Sequence, residues 1–327
     1  LGLVDTAVIG HLDSPVYLGG VAIGATATSF LFMLLLFLRM STTGLTAQAF
    51  GAKNPQALAR ALVQPLLLAL GAGLLIVLFK TPLINLALSI VGGSGEVLEQ
   101  ARRFLAIRWL SAPAALANLV LLGWLLGVQY ARAPVVLLIV GNVLNIVLDL
   151  WLVMGLHMNV QGAALATAIA EYATLLVGLG MARKVLVMRG ISWAMLKTAW
   201  QGDFRRLLAL NRDIMLRSLL LQLCFGAITV FGARLGSEVV AVNAVLMTML
   251  TFTAYALDGF AYAVEAHSGQ AYGARDGSKL LEVWRAACRQ AGVVALAFAL
   301  IYALLGEHIV ALLTSLPELR SEERRVG

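Results

Sequence analysis

The chain has 327 residues, of which 61% are hydrophobic and only 13% charged, and its mean hydropathy is +0.89. A soluble domain is about 45–50% apolar and about 25% charged, so soluble enzymes and nucleic-acid-binding folds are excluded despite a net charge of +7. The short alternating strands of a membrane barrel are absent too, which leaves an all-α polytopic membrane protein.

Taken in chain order, apolar runs bounded by polar or Gly/Pro clusters predict nine helical segments. The first is a half-segment over residues 1–12, whose abrupt start suggests that the beginning of this helix is missing. Full segments follow at 20–50, 61–90, 104–128, 134–154, 161–181, 213–234, 239–267 and 285–305. Most approach or exceed the roughly 20 apolar residues that cross a bilayer core. A last apolar patch at 308–316 leads into a polar tail, 317–327, read as non-native. Cys224 and Cys288 lie in or beside apolar runs and suggest neither a disulfide framework nor a metal site. His11, His157, His267 and His308 fall near segment ends and read as interfacial rather than catalytic.

Loop charge sets the orientation. Odd-numbered loops hold four basic residues, Arg102, Arg103, Arg108 and Arg234, offset by acids such as Asp13, Glu96, Glu99 and Glu238. Even-numbered loops and their flanks hold fourteen, from Lys53 and Arg60 to Arg285 and Arg289. The positive-inside rule makes the even loops cytoplasmic. The long polar interval 182–209 is then a cytoplasmic linker between an N-terminal lobe, 1–181, and a partial C-terminal lobe, 210–316.

An internal repeat supports two lobes. Gln48-Ala49-Phe50-Gly51-Ala52-Lys53 returns as Gln270-Ala271-Tyr272-Gly273-Ala274-Arg275, with Asn54 matching Asp276 and Leu58 matching Leu280. Each copy ends an apolar segment and opens a basic loop. An even number of segments between them makes the repeats parallel, as in two-lobe transporters.

At this point the motifs, in order, are similar to those of the multidrug and toxic compound extrusion (MATE) transporters. Val4-Asp5-Thr6-Ala7-Val8-Ile9-Gly10 resembles their first-helix signature, and the repeated motif resembles the ends of their second and eighth helices. Asn145-Ile146-Val147-Leu148-Asp149 and Gly162-Ala163-Ala164-Leu165-Ala166-Thr167 resemble the fifth and sixth. The Gly259–Glu265 region and Leu38-Arg39-Met40 look most like the DNA-damage-inducible F branch. Leu122-Gly123-Trp124 stands where the family often has Asn-Gly, and Gln222 lies nearest a seventh-helix glutamate of another branch. The resemblance implies two six-helix lobes in a V-shaped bundle, here with the second lobe truncated after helix nine.

Ionisable residues inside spans are costly and persist mainly where they pair or face a cavity. Asn142, Asn145 and Asp149, at i, i+3 and i+7, project from one broad helix face. A carboxylate beside amide oxygens suits a proton or a dehydrated Na⁺; the alternative is a polar seam joining two helices. Through the family motif Asp5 lies opposite Asp149, and Thr167 adds a hydroxyl there or bonds to its own helix. Glu171, one turn beyond Thr167, lies deeper in the same cavity or pairs with a neighbour. Asp258, Tyr262 and Glu265 share a face suited to a lipophilic cation through charge and cation–π attraction, unless Arg217 or Arg39 pairs with these acids. Arg39 and Arg217 read as structural counter-ions.

These residues point to a secondary antiporter of the inner membrane, acting as a monomer, in which inward H⁺ or Na⁺ drives export of small cationic or amphipathic compounds. The alternative is a flippase for a lipid-linked saccharide, which needs a cavity rich in Arg and Lys. No cofactor, metal ligand set, nucleic-acid partner or catalytic motif is expected.

Overall fold

The computed structural model describes residues 15–91, 95–191, 195–196, 199 and 205–313. Their elements are α1 (Pro15–Leu34), α2 (Phe37–Gly51), α3 (Pro55–Leu78), α4 (Lys80–Val91), α5 (Gly95–Arg108), α6 (Ala112–Gly127), α7 (Arg132–Asp149), α8 (Asn159–Met188), α9 (Arg205–Leu235), α10 (Ser237–Gly273) and α11 (Gly277–Leu313). Six stretches among the described residues are long and apolar enough to cross a bilayer: Pro55–Leu78, Gly95–Gly127, Arg132–Gly155, Asn159–Met188, Val245–Gly273 and Gly277–Leu304. The chain divides into two compact units between Met215 and Leu216.

Several segments are broken where composition alone shows a continuous run. The segment predicted at 20–50 is two helices, because Leu35, Leu38 and Arg39 donate to carbonyls three residues back and tighten the chain at 35–36. The segment predicted at 61–90 divides at Phe79; Pro82 lacks an N–H, and its ring excludes the carbonyl of Leu78. A short 3₁₀ turn, Trp109–Ser111, joins α5 to α6 just before Pro113. Beyond Asp149 the chain widens into a π turn, Leu150–Gly155. Helix ends also outrun their apolar cores: α5 begins at Gly95, and α8 continues to Met188. Arg108, assigned to a loop from its sequence neighbourhood, therefore lies within the continuous Gly95–Gly127 span.

In the first unit α6 packs against α2, α3 and α8, while α5 packs against α1 and α8, and α7 lies along α8. Trp124, Phe104, Leu105, Leu116 and Leu121 are fully buried there. Two helix pairs approach through glycines four residues apart, as close-packed membrane helices do. Gly20 and Gly24 of α1 face Gln100 and Phe104 of α5. Gly123 and Gly127 of α6 face α2, where a Cβ on Gly123 would stand 2.5 Å from the carbonyl oxygen of Arg39. Backbone cannot yield there as a flexible side chain could. Gly123→Leu is expected to lower the stability of the first unit by about 1–3 kcal/mol, read as a fall in melting temperature in detergent; an unchanged value would show a loose seam.

The repeated motif folds the same way in both copies. Ala52, Lys53 and Asn54 donate to Gln48, Phe50 and Ala49, and Ala274, Arg275 and Asp276 donate to Gln270, Tyr272 and Ala271. This is the Schellman closure, with a left-handed residue just past the helix: φ is 55° at Lys53 and 57° at Arg275. The next helix is capped alike, Ala57 N–H donating to Asn54 Oδ1 and Lys279 N–H to Asp276 Oδ1. Gln129 and Gly190 close the helices before the other two even-numbered loops in the same manner.

The described part of the interval 182–209 rests on the first unit. Ile191 and Ala199 are buried, Gln64 Nε2 donates to the Ala199 carbonyl at 3.4 Å, and the Arg189 guanidinium lies 4.5 Å from the Phe50 ring centre. Early in α9 the Ser41 hydroxyl donates to Asn211 Oδ1. In the second unit α10 packs on α11, with Tyr302 donating to the Met249 carbonyl at 3.0 Å and lying 2.7 Å from the Thr253 hydroxyl.

Candidate functional site

One face of α7 is buried at every fourth residue, through Ala133, Leu137, Gly141, Asn145 and Asp149. Asn145 and Asp149 have no solvent exposure, and Thr167 on the facing α8 has 1%. The Thr167 hydroxyl lies 3.2 Å from Asn145 Oδ1 and also 3.2 Å from the Ala163 carbonyl of its own helix. The π turn starts immediately after Asp149 and seats its Leu152 backbone against Gly162 of α8; such widened turns are frequent at functional sites. A carboxylate held away from water is stable when a proton or a cation neutralises it. Asp5 lies outside the described residues.

Asn142 leaves this group. Its amide donates to the Leu138 carbonyl at 2.9 Å, and the side chain lines a cavity of about 430 Å³ bounded by α1, α6, α7 and α8. The i, i+3, i+7 spacing put it on the Asn145 face, but the buried stripe follows i+4 steps and leaves Asn142 at its edge.

Glu171, one turn beyond Thr167, also lines that cavity. It also pairs with Arg108. Arg108 Nη1 donates to Glu171 Oε2 at 3.1 Å and Nη2 to Oε1 at 2.9 Å, with each side chain about 10% exposed. Arg108 further donates to the Ser111 hydroxyl at 2.7 Å and sits 5.4 Å from the Phe32 ring centre. Asn118 Nδ2 donates to the Glu171 carbonyl at 3.1 Å. The partner of Glu171 was invisible in the sequence, where Arg108 follows Arg102 and Arg103 and reads as one more loop cation. The usable signal was the apolar stretch resuming on both sides of it.

Arg39 is 3% exposed and donates from Nη1 to the Thr43 hydroxyl at 3.3 Å within α2. In the second unit Asp258 and Glu265 are half-buried and Tyr262 is exposed on α10. Arg217 is exposed on α9 and makes no ion pair with Asp258 among the described residues. Among the described residues no cluster of His, Cys, Asp and Glu could hold a metal ion.

Comparison with known proteins shows the family. The MatE family model matches residues 1–151 and 214–325. The chain belongs to the MatE family. It is 85% identical over 320 residues to DNA damage-inducible protein F of Escherichia coli (strain K12), covering 98% of this chain and 70% of that protein. It is 38% identical over 112 residues to the multidrug export protein MepA of Staphylococcus aureus (strain NCTC 8325 / PS 47), covering 32% of this chain and 23% of that protein. Among solved structures, a MATE crystal structure in the bent conformation aligns with a TM-score of 0.83 at 25% identity, covering 99% of this chain and 72% of that one. The MatE assignment makes the chain a multi-pass inner-membrane protein of a transporter family, not an enzyme. The DNA-damage-inducible F branch, suggested by Leu38–Met40 and Gly259–Glu265, is matched at 85% identity.

Proposed function

We propose that this MatE chain exports small cationic or amphipathic organic compounds by antiport, with inward H⁺ or Na⁺ loading at Asp149. Asn145, Thr167 and Asp5 complete the loading site. The observation that carries this reading is the solvent-free Asp149, one turn from an Asn145 amide that is hydrogen-bonded to Thr167. A membrane protein retains such a group at a cost when it has a cargo to neutralise it. The name of the MepA relative, a multidrug export protein, supports the direction and the kind of substrate. Asp258, Tyr262 and Glu265 supply a second polar face for cargo on α10.

The coupling ion is tested in proteoliposomes holding the full chain, with a fluorescent dye as cargo. A pH gradient and a Na⁺ gradient are imposed in turn. Dye movement against its own gradient under one of the two is the expected result. Dye flux indifferent to both would overturn antiport.

A further inference from the structure

We propose that the first-unit cavity binds uncharged amphipathic compounds carrying an N–H or O–H donor, and that Arg108 sets this preference by cancelling the charge of Glu171. The inference rests on the export reading only in treating this cavity as a place where cargo sits. It narrows the cargo class at that place from cationic or amphipathic to amphipathic without net charge.

Three observations carry it. The cavity measures about 430 Å³, within the range of about 300–1,000 Å³ usual for small-molecule sites. Its walls are mostly apolar, with Asn118, Asn142 and Thr174 as neutral polar members, and among the described lining residues Glu171 is the only charged one. That carboxylate has both oxygens engaged by Arg108, at 2.9 and 3.1 Å. The guanidinium is in turn held by the Ser111 hydroxyl and the Phe32 ring. A lipophilic cation entering here loses its hydration without meeting a net opposite charge. Otherwise it displaces Arg108 and strands a buried guanidinium. Either route disfavours it.

Asn118 supplies the polar anchor. Its Nδ2 is committed to the Glu171 carbonyl, whereas its Oδ1 is buried and has no hydrogen-bond partner among the described residues. A buried acceptor without a donor is costly; Asn118 lines the cavity, and a turn of its side chain that brings Oδ1 to a ligand N–H or O–H there satisfies it. An apolar body, one donor and no charge describe the occupant.

The test is equilibrium binding to the full chain in lipid nanodiscs, with no ion gradient. Phenylnaphthylamine is the neutral probe with one N–H. Anilinonaphthalene sulfonate carries an anion on a similar skeleton, and tetraphenylphosphonium is a cation without donors. The unsubstituted chain should bind the amine saturably and both ions at least about tenfold more weakly. Arg108→Gln should shift the preference toward the cation, and Glu171→Gln toward the sulfonate, each by about tenfold. The double variant should return to the amine, and Asn118→Leu should weaken the amine without favouring either ion. If one single variant does not fold, the other decides together with the double variant, since the two expectations have opposite sign. Tighter binding of the cation than of the amine by the unsubstituted chain would overturn the inference, as would an unchanged probe order in the charge variants. Failure of antiport would leave these affinities in place, and failure here would leave gradient-driven export standing.

Discussion

Asp149→Asn is expected to abolish gradient-driven export while the chain remains folded. Asparagine matches the volume of aspartate and keeps an acceptor beside Asn145, so the α7–α8 packing survives. It carries no charge to be neutralised, however, and so takes up neither a proton nor Na⁺. A ligand shifts a conformational equilibrium only through its different affinity for the two states. Without a loading group, the roughly 2.3 kcal/mol available per charge across 100 mV has nowhere to act. The measurement pairs dye export in proteoliposomes under an imposed gradient with the melting temperature of the same preparation. Full export with an unchanged melting temperature would remove Asp149 from the coupling mechanism.

The largest effect on stability is expected from splitting the buried ion pair. Glu171→Ala leaves the Arg108 guanidinium, about 10% exposed, without its carboxylate and with Ser111 and Phe32 as its remaining support. Breaking a buried pair from one side costs about 3–5 kcal/mol. Replacing both members, Arg108→Met with Glu171→Leu, is expected to recover most of that loss, because two desolvated charges go together. Thermal melting of the single and double variants in one detergent gives the comparison. A single variant as stable as the parent would mean that water already reaches the pair.

Much of this was legible in the sequence, because membranes simplify the code. Without water in the bilayer, backbone groups must be satisfied within helices, so apolar length pointed to the six stretches that are long and apolar enough to cross it. The MATE resemblance and the repeat came from motif order, and the placing of Thr167 beside Asn145 came from that resemblance. Most of what escaped had no one-dimensional signal. The break at 35–36 contains only leucines and arises from tightened hydrogen bonds. The π turn after Asp149 is a change in backbone pitch with no marker residue. The Arg108–Glu171 pair joins residues 63 positions apart, and Asn142 parts from Asn145 by a rotation too small for a spacing rule to resolve.

The left-handed residues that end α2 and α10 offer a practical route to watching the molecule move. Lys53 and Arg275 are both exposed, and each sits inside the backbone hydrogen bonds that close its helix. Spin labels introduced at these two positions would hang from the same local frame twice over. Tether geometry would then contribute alike at both ends of the measured distance. A gradient-dependent change in that distance would report displacement of α2 against α10, not a rearrangement of the labels.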